Sequence, residues 1–369
     1  MSARAQQVID WCRKLATYSE EPGRITRTFL SPPMHDVHRA LGDWMRSFGM
    51  QVSVDAAGNL RGVLAGDGPR IMLGSHLDTV PDAGAFDGIL GVVLGIALAE
   101  IASRRSQRPA LEVIGFSEEE GVRYGIPFIG SRALVGTLDA ATIALIEPAL
   151  RDFGLDPMRL PEAHFAPETS RYLEFHIEQG PVLESLGLPL GAVDAIAGQT
   201  RGTVTFEGRA NHAGTTPMSL RHNALVPAAE WILKVEAIAH AYLELVATVG
   251  RVEVQPNAGN VIPGRVIASL DVRHRDDEVR QAAVERLTTG LSWKSLLEQA
   301  AVPLLPVPFE LPLLTSGAGH DAMVIAPHIP ASMIFLRSPG GISHSPLESV
   351  LVDDVEAAID IGERLLKLI

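Results

Sequence analysis

The stretch Pro69–Ile101, PRIMLGSHLDTVPDAGAFDGILGVVLGIALAEI, reads as three consecutive pieces. Ile71–Gly74 is a short apolar strand, a loop carries His76, Asp78 and Asp87, and a long apolar helix opens at Asp87-Gly88. Open α/β sheets place their chemistry at the carboxyl ends of strands, just before the following helix. Imidazole and carboxylate groups delivered to such an edge suit a borderline divalent cation such as zinc.

Outward from this stretch, other strand ends supply matching groups. Ala110–Phe116 is a buried strand that runs into Ser117-Glu118-Glu119-Glu120-Gly121. Three adjacent carboxylates repel one another, and a cation among them relieves the repulsion. Arg171–Glu184 reads as a strand that delivers His176, with Glu178 and Gln179 behind it. The strand Ser332–Leu336 leads into RSPGGISHSPLE and His344. His76, Asp87, Glu119 or Glu120, His176 and His344 are therefore candidate ligands. Three imidazoles and two acids exceed the needs of one tetrahedral zinc. They suit two metals that share a bridging carboxylate, an arrangement for metal-assisted hydrolysis.

Composition narrows the classes. The 369 residues are 46% hydrophobic and 20% charged, enough apolar material for a sizeable core. A formal net charge of -13 disfavours a nucleic-acid or acidic-membrane partner. The one cysteine, Cys12, reads as a small core residue, and its solitude fits a reducing, cytoplasmic compartment. The N-terminal MSARAQQVIDWCRKL lacks the apolar run of a signal peptide. The longest apolar run, Ile89–Ala102, contains Glu100 and falls short of the ~20 residues of a membrane span. It reads as a helix buried against the sheet.

The rest of the chain reads as follows. Residues 1–20 and 34–48 are helical, residues 51–54 and 60–64 are strands, and the proline-rich 147–170 segment wanders over the surface. The character changes near Ala197. Strand Thr200–Glu207, helix Asn223–Leu245, strands Val246–Gln255 and Arg265–Arg273, and a helix from Asp276-Asp277 form a small split-βαβ layer. Pro303, Pro306, Pro308 and Pro312 mark a linker back to the first style. The last helix, Val350–Ile369, is amphipathic and is expected to pack as a lid on the sheet edge.

In their order, GSHLDTVPDAGAFDG, SEEEG, FHIEQGPVLE, ANHAGTTPM, SGAGHDAM and GISHSPLE resemble the amidase/hydantoinase/carbamoylase branch of the dinuclear zinc aminopeptidase-like hydrolases. That branch includes N-carbamoyl-L-amino acid hydrolases, β-ureidopropionases and allantoate amidohydrolases. The resemblance implies an α/β fold, with a mixed-sheet catalytic domain over residues 1–197 and 301–369. An inserted α+β, ferredoxin-like lid and dimerisation domain would span residues 198–300. It implies two divalent ions, zinc or alternatively manganese, cobalt or nickel. His76 and His176 would bind the first, Glu120 and His344 the second, and Asp87 would bridge them. Asp78 would orient His76, and Glu119 would be the general base. The run of three glutamates admits a second register, with Glu118 as base and Glu119 as ligand.

Further implied roles lie in the inserted domain. His212 would donate to the developing oxyanion, in the family usually at the partner protomer's site, which makes a homodimer functional. Gln199, Asn260 and Arg273 would hold a small ureido or amide substrate, Arg273 by clamping its carboxylate, and His320 and Asp321 would stand behind the ligands. The leading substrate is an N-carbamoyl-L-amino acid. The alternatives are allantoate, then a dipeptide or acylated amino acid, and outside catalysis a metal-free binding relative. One departure stands out. Between the last helix of the inserted domain and Ser316 the family normally fits a further strand and helix, and Ala301–Thr315 leaves little room for them, which puts that domain's last strand in question.

Overall fold

The computed structural model describes residues 3–368. In chain order the elements are α1 (Ala3–Ala16), α2 (Pro32–Ser47), β1 (Gln51–Val54), β2 (Leu60–Leu64), β3 (Asp67–His76), α3 (Ile89–Ser103), β4 (Pro109–Phe116), α4 (Ile129–Leu134), α5 (Ala140–Asp152), β5 (Thr169–Ile177), α6 (Val182–Leu186) and β6 (Leu190–Ile196). There follow β7 (Gly198–Glu207), β8 (Asn211–His212), α7 (Leu225–Ala241), β9 (Val246–Thr248), β10 (Val252–Gln255), β11 (Val261–Ile262), β12 (Arg265–His274), α8 (Asp277–Thr288) and β13 (Ser292–Gln299). The chain closes with β14 (Val302–Pro303), β15 (Leu313–Ser316), α9 (Asp321–Ile325), β16 (Ala331–Leu336) and α10 (Val352–Leu368). Two compact units result. One takes residues up to 194, 304–314 and from 319 on, and the other takes 195–303 and 315–318.

The first unit is a mixed sheet in the order β1-β2-β4-β3-β5-β16-β6. Its centre, β4-β3-β5-β16, is parallel, and the flanking pairs are antiparallel. The four central strands therefore end on one edge. They end at Phe116, His76, Ile177 and Leu336, and the candidate ligands follow or terminate these strands. His76 is the last residue of β3 rather than a loop residue, because β3 pairs with β4 through His76–Phe116.

α3 explains why the centre is parallel and buried. Its residues are apolar all round, a pattern that fits only between two layers. It packs on β3, β4 and β5 and is covered by α1 and α10. Glu100, the one acid in the helix, lies at its end and is met by Arg4 Nη1 at 2.7 Å and Trp44 Nε1 at 3.1 Å. The last helix is not at the sheet edge. The apolar stripe Val355, Ala358, Ile359, Gly362 and Leu366 lays α10 along α1 and α3, with Gly362 against Leu98. Ile369 lies outside the described residues, as do residues 1 and 2.

Two smaller readings change as well. The 147–170 segment opens inside α5, which runs to Asp152 around Pro148. The strand that delivers His176 stops at Ile177, where α6 soon follows. No helix among the described residues is long and apolar enough to cross a membrane.

The second unit is an antiparallel sheet in the order β10-β12-β7-β13, with β9 also on β12. Along β7 the buried Thr200, Gly202, Val204 and Phe206 alternate with Gln199, Arg201 and Thr203. The buried face packs on α7 and α8, giving one core of its own around Val204, Trp231 and Leu270. Asp276 caps α8, accepting from the amides of Glu278 at 2.8 Å and Val279 at 3.4 Å. The final strand is present and lies before the short 301–315 segment. Ser292–Gln299 pairs with β7 over its length, with an irregularity between Ser295 and Leu297.

Candidate metal centre

Asp87 is the hub of the edge. It is 3% exposed and lies just before Gly88, the residue that precedes α3, with φ +66°. A Cβ at Gly88 would meet the His76 ring at 2.4 Å, so only glycine lets the chain pass this close. Asp87 Oδ1 is 3.1 Å from His176 Nε2 and 3.8 Å from His76 Nε2. Asp87 Oδ2 is 3.1 Å from His344 Nε2, and that nitrogen is 3.5 Å from Glu120 Oε1.

The tautomers fix what this arrangement can hold. His76 Nδ1 is 3.0 Å from the Asp78 carbonyl, and His176 Nδ1 is 2.9 Å from the Ile177 carbonyl. A carbonyl only accepts, so both Nδ1 atoms carry protons. In the neutral rings both Nε2 lone pairs then face each other, 3.4 Å apart, and face a carboxylate. Acceptors aimed at acceptors in a buried site call for a cation between them. His76, Asp87 and His176 form one group whose ligand atoms all lie within 4.8 Å of one another. Asp87, Glu120 and His344 form another, and His76, Glu119 and Glu120 a third. The donor set of imidazole and carboxylate fits a borderline divalent ion.

Without an ion, protons take that place. Burial works against a charged His76, but the Asp78 hydrogen bond and the charges of Glu119, Asp78 and Asp87 outweigh it and hold its pKa well above the ordinary imidazole value. His176 and His344 are also raised, His176 against burial and His344 chiefly through its hydrogen bond to Asp87. Burial likewise opposes charge on Asp87, yet its histidine hydrogen bonds hold the carboxyl well below the usual range. Burial pushes Glu120 up to about 7 and, with the charge of Asp78, Glu118 up to about 9. Burial also holds Glu119 well above the ordinary value.

The three glutamates point differently. Asp78 accepts from the amides of Glu119 at 3.0 Å and Glu120 at 3.1 Å, and its Oδ1 lies 3.4 Å from His76 Nδ1. One buried acid thus ties the β4 end to the imidazole. Glu118 turns back, with Oε1 accepting from the Val122 amide at 3.2 Å. Among the three, Glu120 is the one beside His344. Behind this shell His320 packs edge-to-face on His176, centroids 4.5 Å apart, and Asp321 is fully buried. Glu174 falls within ligand distance of His176 and His320, but Ser75 Oγ and the Ala322 amide already occupy its oxygens at 2.8 and 3.0 Å.

Sequence reasoning gave no role to three residues here. Gln179, in the left-handed region at φ +58°, donates through Nε2 to both oxygens of Asp87 at 3.2 and 3.1 Å. Ser343 Oγ lies 3.3 Å from Asp87 Oδ2, and Glu348 accepts from the Asp87 amide. All three stand inside quoted motifs, yet the amide of Gln179 and the hydroxyl of Ser343 are poor ligands, and the Glu348 carboxylate shows its role only once the two loops meet. Glu178 instead caps α6, accepting from Val182 at 2.6 Å and Leu183 at 2.8 Å.

Within the second unit, His212 and Val261 are partners across β8 and β11, and the Ala213 amide donates to the Asn260 carbonyl at 2.9 Å. His212 is exposed, and its Nδ1 accepts from the amides of Gly214 at 3.0 Å and Thr215 at 3.2 Å. That leaves Nε2 as the protonated nitrogen, free to donate. Gln199 and Arg273 face each other across β7 and β12, and both donate to Asp271.

Peptidase family M20/M25/M40 matches residues 72–368. The chain is 38% identical to the N-carbamoyl-L-amino acid amidohydrolase of Geobacillus stearothermophilus, over 94% of both chains. It is 37% identical to allantoate deiminase 1 of Glycine max, over 94% of this chain and 85% of that one. Its fold is similar to a crystal structure of a hydantoinase/carbamoylase family amidase from Burkholderia multivorans, with a TM-score of 0.85 and 29% identity over 98% and 97% of the two chains.

Proposed function

The chain belongs to peptidase family M20/M25/M40, a family of hydrolases, and from that premise we propose that it cleaves a linear ureido C–N bond with two divalent metal ions. The substrate is an N-carbamoyl-L-amino acid, released as the amino acid, ammonia and carbon dioxide. The carrying observation is Asp87, whose two oxygens each stand 3.1 Å from a different imidazole, as a carboxylate shared by two cations would. His76, His176 and Oδ1 of Asp87 would hold one ion, and Glu120, His344 and Oδ2 the other. Zinc suits these donors, as do manganese, cobalt and nickel. When bound, such ions acidify a water and polarise the scissile carbonyl.

The protein's own groups do the rest. Glu119 takes a proton from the attacking water and returns it to the leaving nitrogen. Asp78 holds His76 in the tautomer that presents Nε2. His212 Nε2–H donates to the oxygen that gains charge. Of the five N–H donors of Arg273, two go to Asp271 and one to the Gly317 carbonyl, which leaves two for a substrate carboxylate. Gln199 and Asn260 orient the same substrate. Residues 198–300 act as lid and pair two protomers in a homodimer, so that His212 serves the neighbouring site. The buried Cys12 thiol suits a reducing cytoplasm.

Allantoate is the second reading, favoured by the 37% identity to the soybean allantoate deiminase. The test is ammonia release from N-carbamoyl-L-amino acids, N-carbamoyl-β-alanine, allantoate and dipeptides after loading with zinc or manganese. Metal-dependent release from one ureido class names the substrate. Two bound metals with no turnover of any ureido compound would refute the proposal.

A further inference from the structure

Glu348 follows His344 by four residues and is 6% exposed. Its Oε1 accepts from two consecutive amides of the other ligand loop, Phe86 at 2.8 Å and Asp87 at 3.0 Å. Its Oε2 lies 3.3 Å from Ser343 Oγ, the hydroxyl that also reaches Asp87 Oδ2. A Cβ on Gly84 would fall 2.3 Å from the Glu348 side chain, so the carboxylate fills a slot that the 82–87 loop leaves open. One side chain therefore joins the loop that carries Asp87 to the loop that carries His344.

The two halves of the centre depend on this join unequally. His76 and His176 stand on the paired strands β3 and β5, are 2% and 1% exposed, and have Nδ1 anchored on backbone carbonyls. His344 stands on a loop, its side chain is 48% exposed, and its φ is +53°, a conformation that costs a non-glycine residue energy. Such a loop holds its shape only where other contacts over-determine it. Glu348 supplies those contacts, from within one turn of the histidine, since its own amide bonds the Ser345 carbonyl at 3.0 Å.

We propose that Glu348 is a positioning residue that docks the His344 loop on the Asp87 loop and so sets metal affinity in one half of the centre. That half is Asp87 Oδ2, Glu120 and His344; the half built from Asp87 Oδ1, His76 and His176 depends on it far less, its imidazoles being fixed by β3 and β5. The inference rests on the two-metal reading above and adds which residue makes the second ion bind.

The experiment is cobalt(II) titration of the metal-free full chain, followed by calorimetry and visible absorbance. Wild type is expected to take up two ions in two steps. In Glu348→Ala one step stays as in wild type and the other weakens by roughly ten- to a hundredfold, the usual cost of losing a group that supports a ligand. Glu348→Gln keeps an oxygen for both amides and is expected to bind both ions within about threefold of wild type. Glu348→Asp, one methylene shorter, cannot reach and should repeat the selective loss, which keeps the test alive if the alanine variant does not fold. Equal weakening of both steps, no weakening, or a Gln variant as defective as Asp would overturn the proposal. Uptake of a single ion by wild type would overturn the two-metal reading itself, before any variant is compared.

Discussion

Arg273 rests its guanidinium on Asp271, two residues back on the same face of β12, with Nε 3.0 Å from Oδ1 and Nη2 2.9 Å from Oδ2. Arg201 Nε, at 2.8 Å, and Gln199 Nε2, at 3.3 and 3.2 Å, converge on the same carboxylate. Strand periodicity places i and i+2 on one face, so the sequence LDVRH itself builds this fork. Asp271→Asn loses charge-assisted bonds on a half-buried acid, which is worth about tenfold in KM once solvent screening is allowed for. The rise is expected for substrates with a carboxylate, with kcat nearly unchanged. An amide substrate without a carboxylate should be indifferent, and an equal loss on both substrates would count against a clamping role for Arg273.

Glu119→Gln tests the register of the three glutamates. The variant keeps shape and burial but cannot accept a proton, so kcat is expected to fall by about 10² to 10⁴. Metal content should stay at the wild-type level, since Glu120 is the glutamate beside His344. Glu120→Gln should instead lower metal content. The reverse pattern, with Glu119→Gln losing metal and Glu118→Gln losing turnover, would assign the roles one residue earlier.

The metal-free chain should lose stability as pH rises from about 6.5 to 9. Glu120 and Glu348, each raised to about 7, and Glu118, raised to about 9, hold protons in the fold that the unfolded chain has already released. Each therefore costs stability as pH climbs from the unfolded value to the folded one. His76, His176 and His344 are raised from 6.5, so the stability they contribute below that value is lost as pH passes their folded values, which is the same sign. His38, lowered to about 3 by burial, acts oppositely but has finished by 6.5. Thermal melts should show Tm falling by several degrees across this window without metal and staying level with zinc bound. A Tm that rises with pH in the metal-free protein would contradict the assignment.

What the sequence made legible follows from how strongly each element is constrained. The 69–101 stretch could be read because a strand buried on both faces and a helix apolar all round leave few alternatives. The five candidate ligands, which the fold brings within reach of one another, could be singled out because His and acid at strand ends are chemically unusual. β13 could not. It is a mostly exposed edge strand, and the irregularity at Leu296 breaks the alternation that betrays a strand, so SWKSLLEQ has no clean period of two. Gln179, Ser343 and Glu348 could not be weighed because their work is done on Asp87 and its amides. That depends on which loops meet, and chain order does not show it.

Gly91 gives a test in which local and tertiary preferences oppose each other. In isolation, alanine in a helix is favoured over glycine by about 1 kcal/mol. At Gly91, however, a Cβ would lie 2.1 Å from the Phe175 carbonyl oxygen and 2.8 Å from Ser75 Cβ. The first obstacle is backbone, and it belongs to β5 one residue before His176, so α3 and the strand must part. Overpacking of this kind costs about 1–3 kcal/mol or more, and with rigid backbone as the obstacle the upper end applies. Gly91→Ala is therefore expected to destabilise by about 2 kcal/mol net and to weaken metal binding at the His76/His176 half. Gly95, one turn on, is the control. Its Cβ would lie 3.3 Å from Leu73 Cβ and Val113 Cγ1, groups that shift by tenths of an ångström. Gly95→Ala should come out near neutral, as the helix gain offsets the crowding. Denaturant unfolding of both variants decides the matter, and a Gly91→Ala protein as stable as Gly95→Ala would show that α3 does not press on β5 as described.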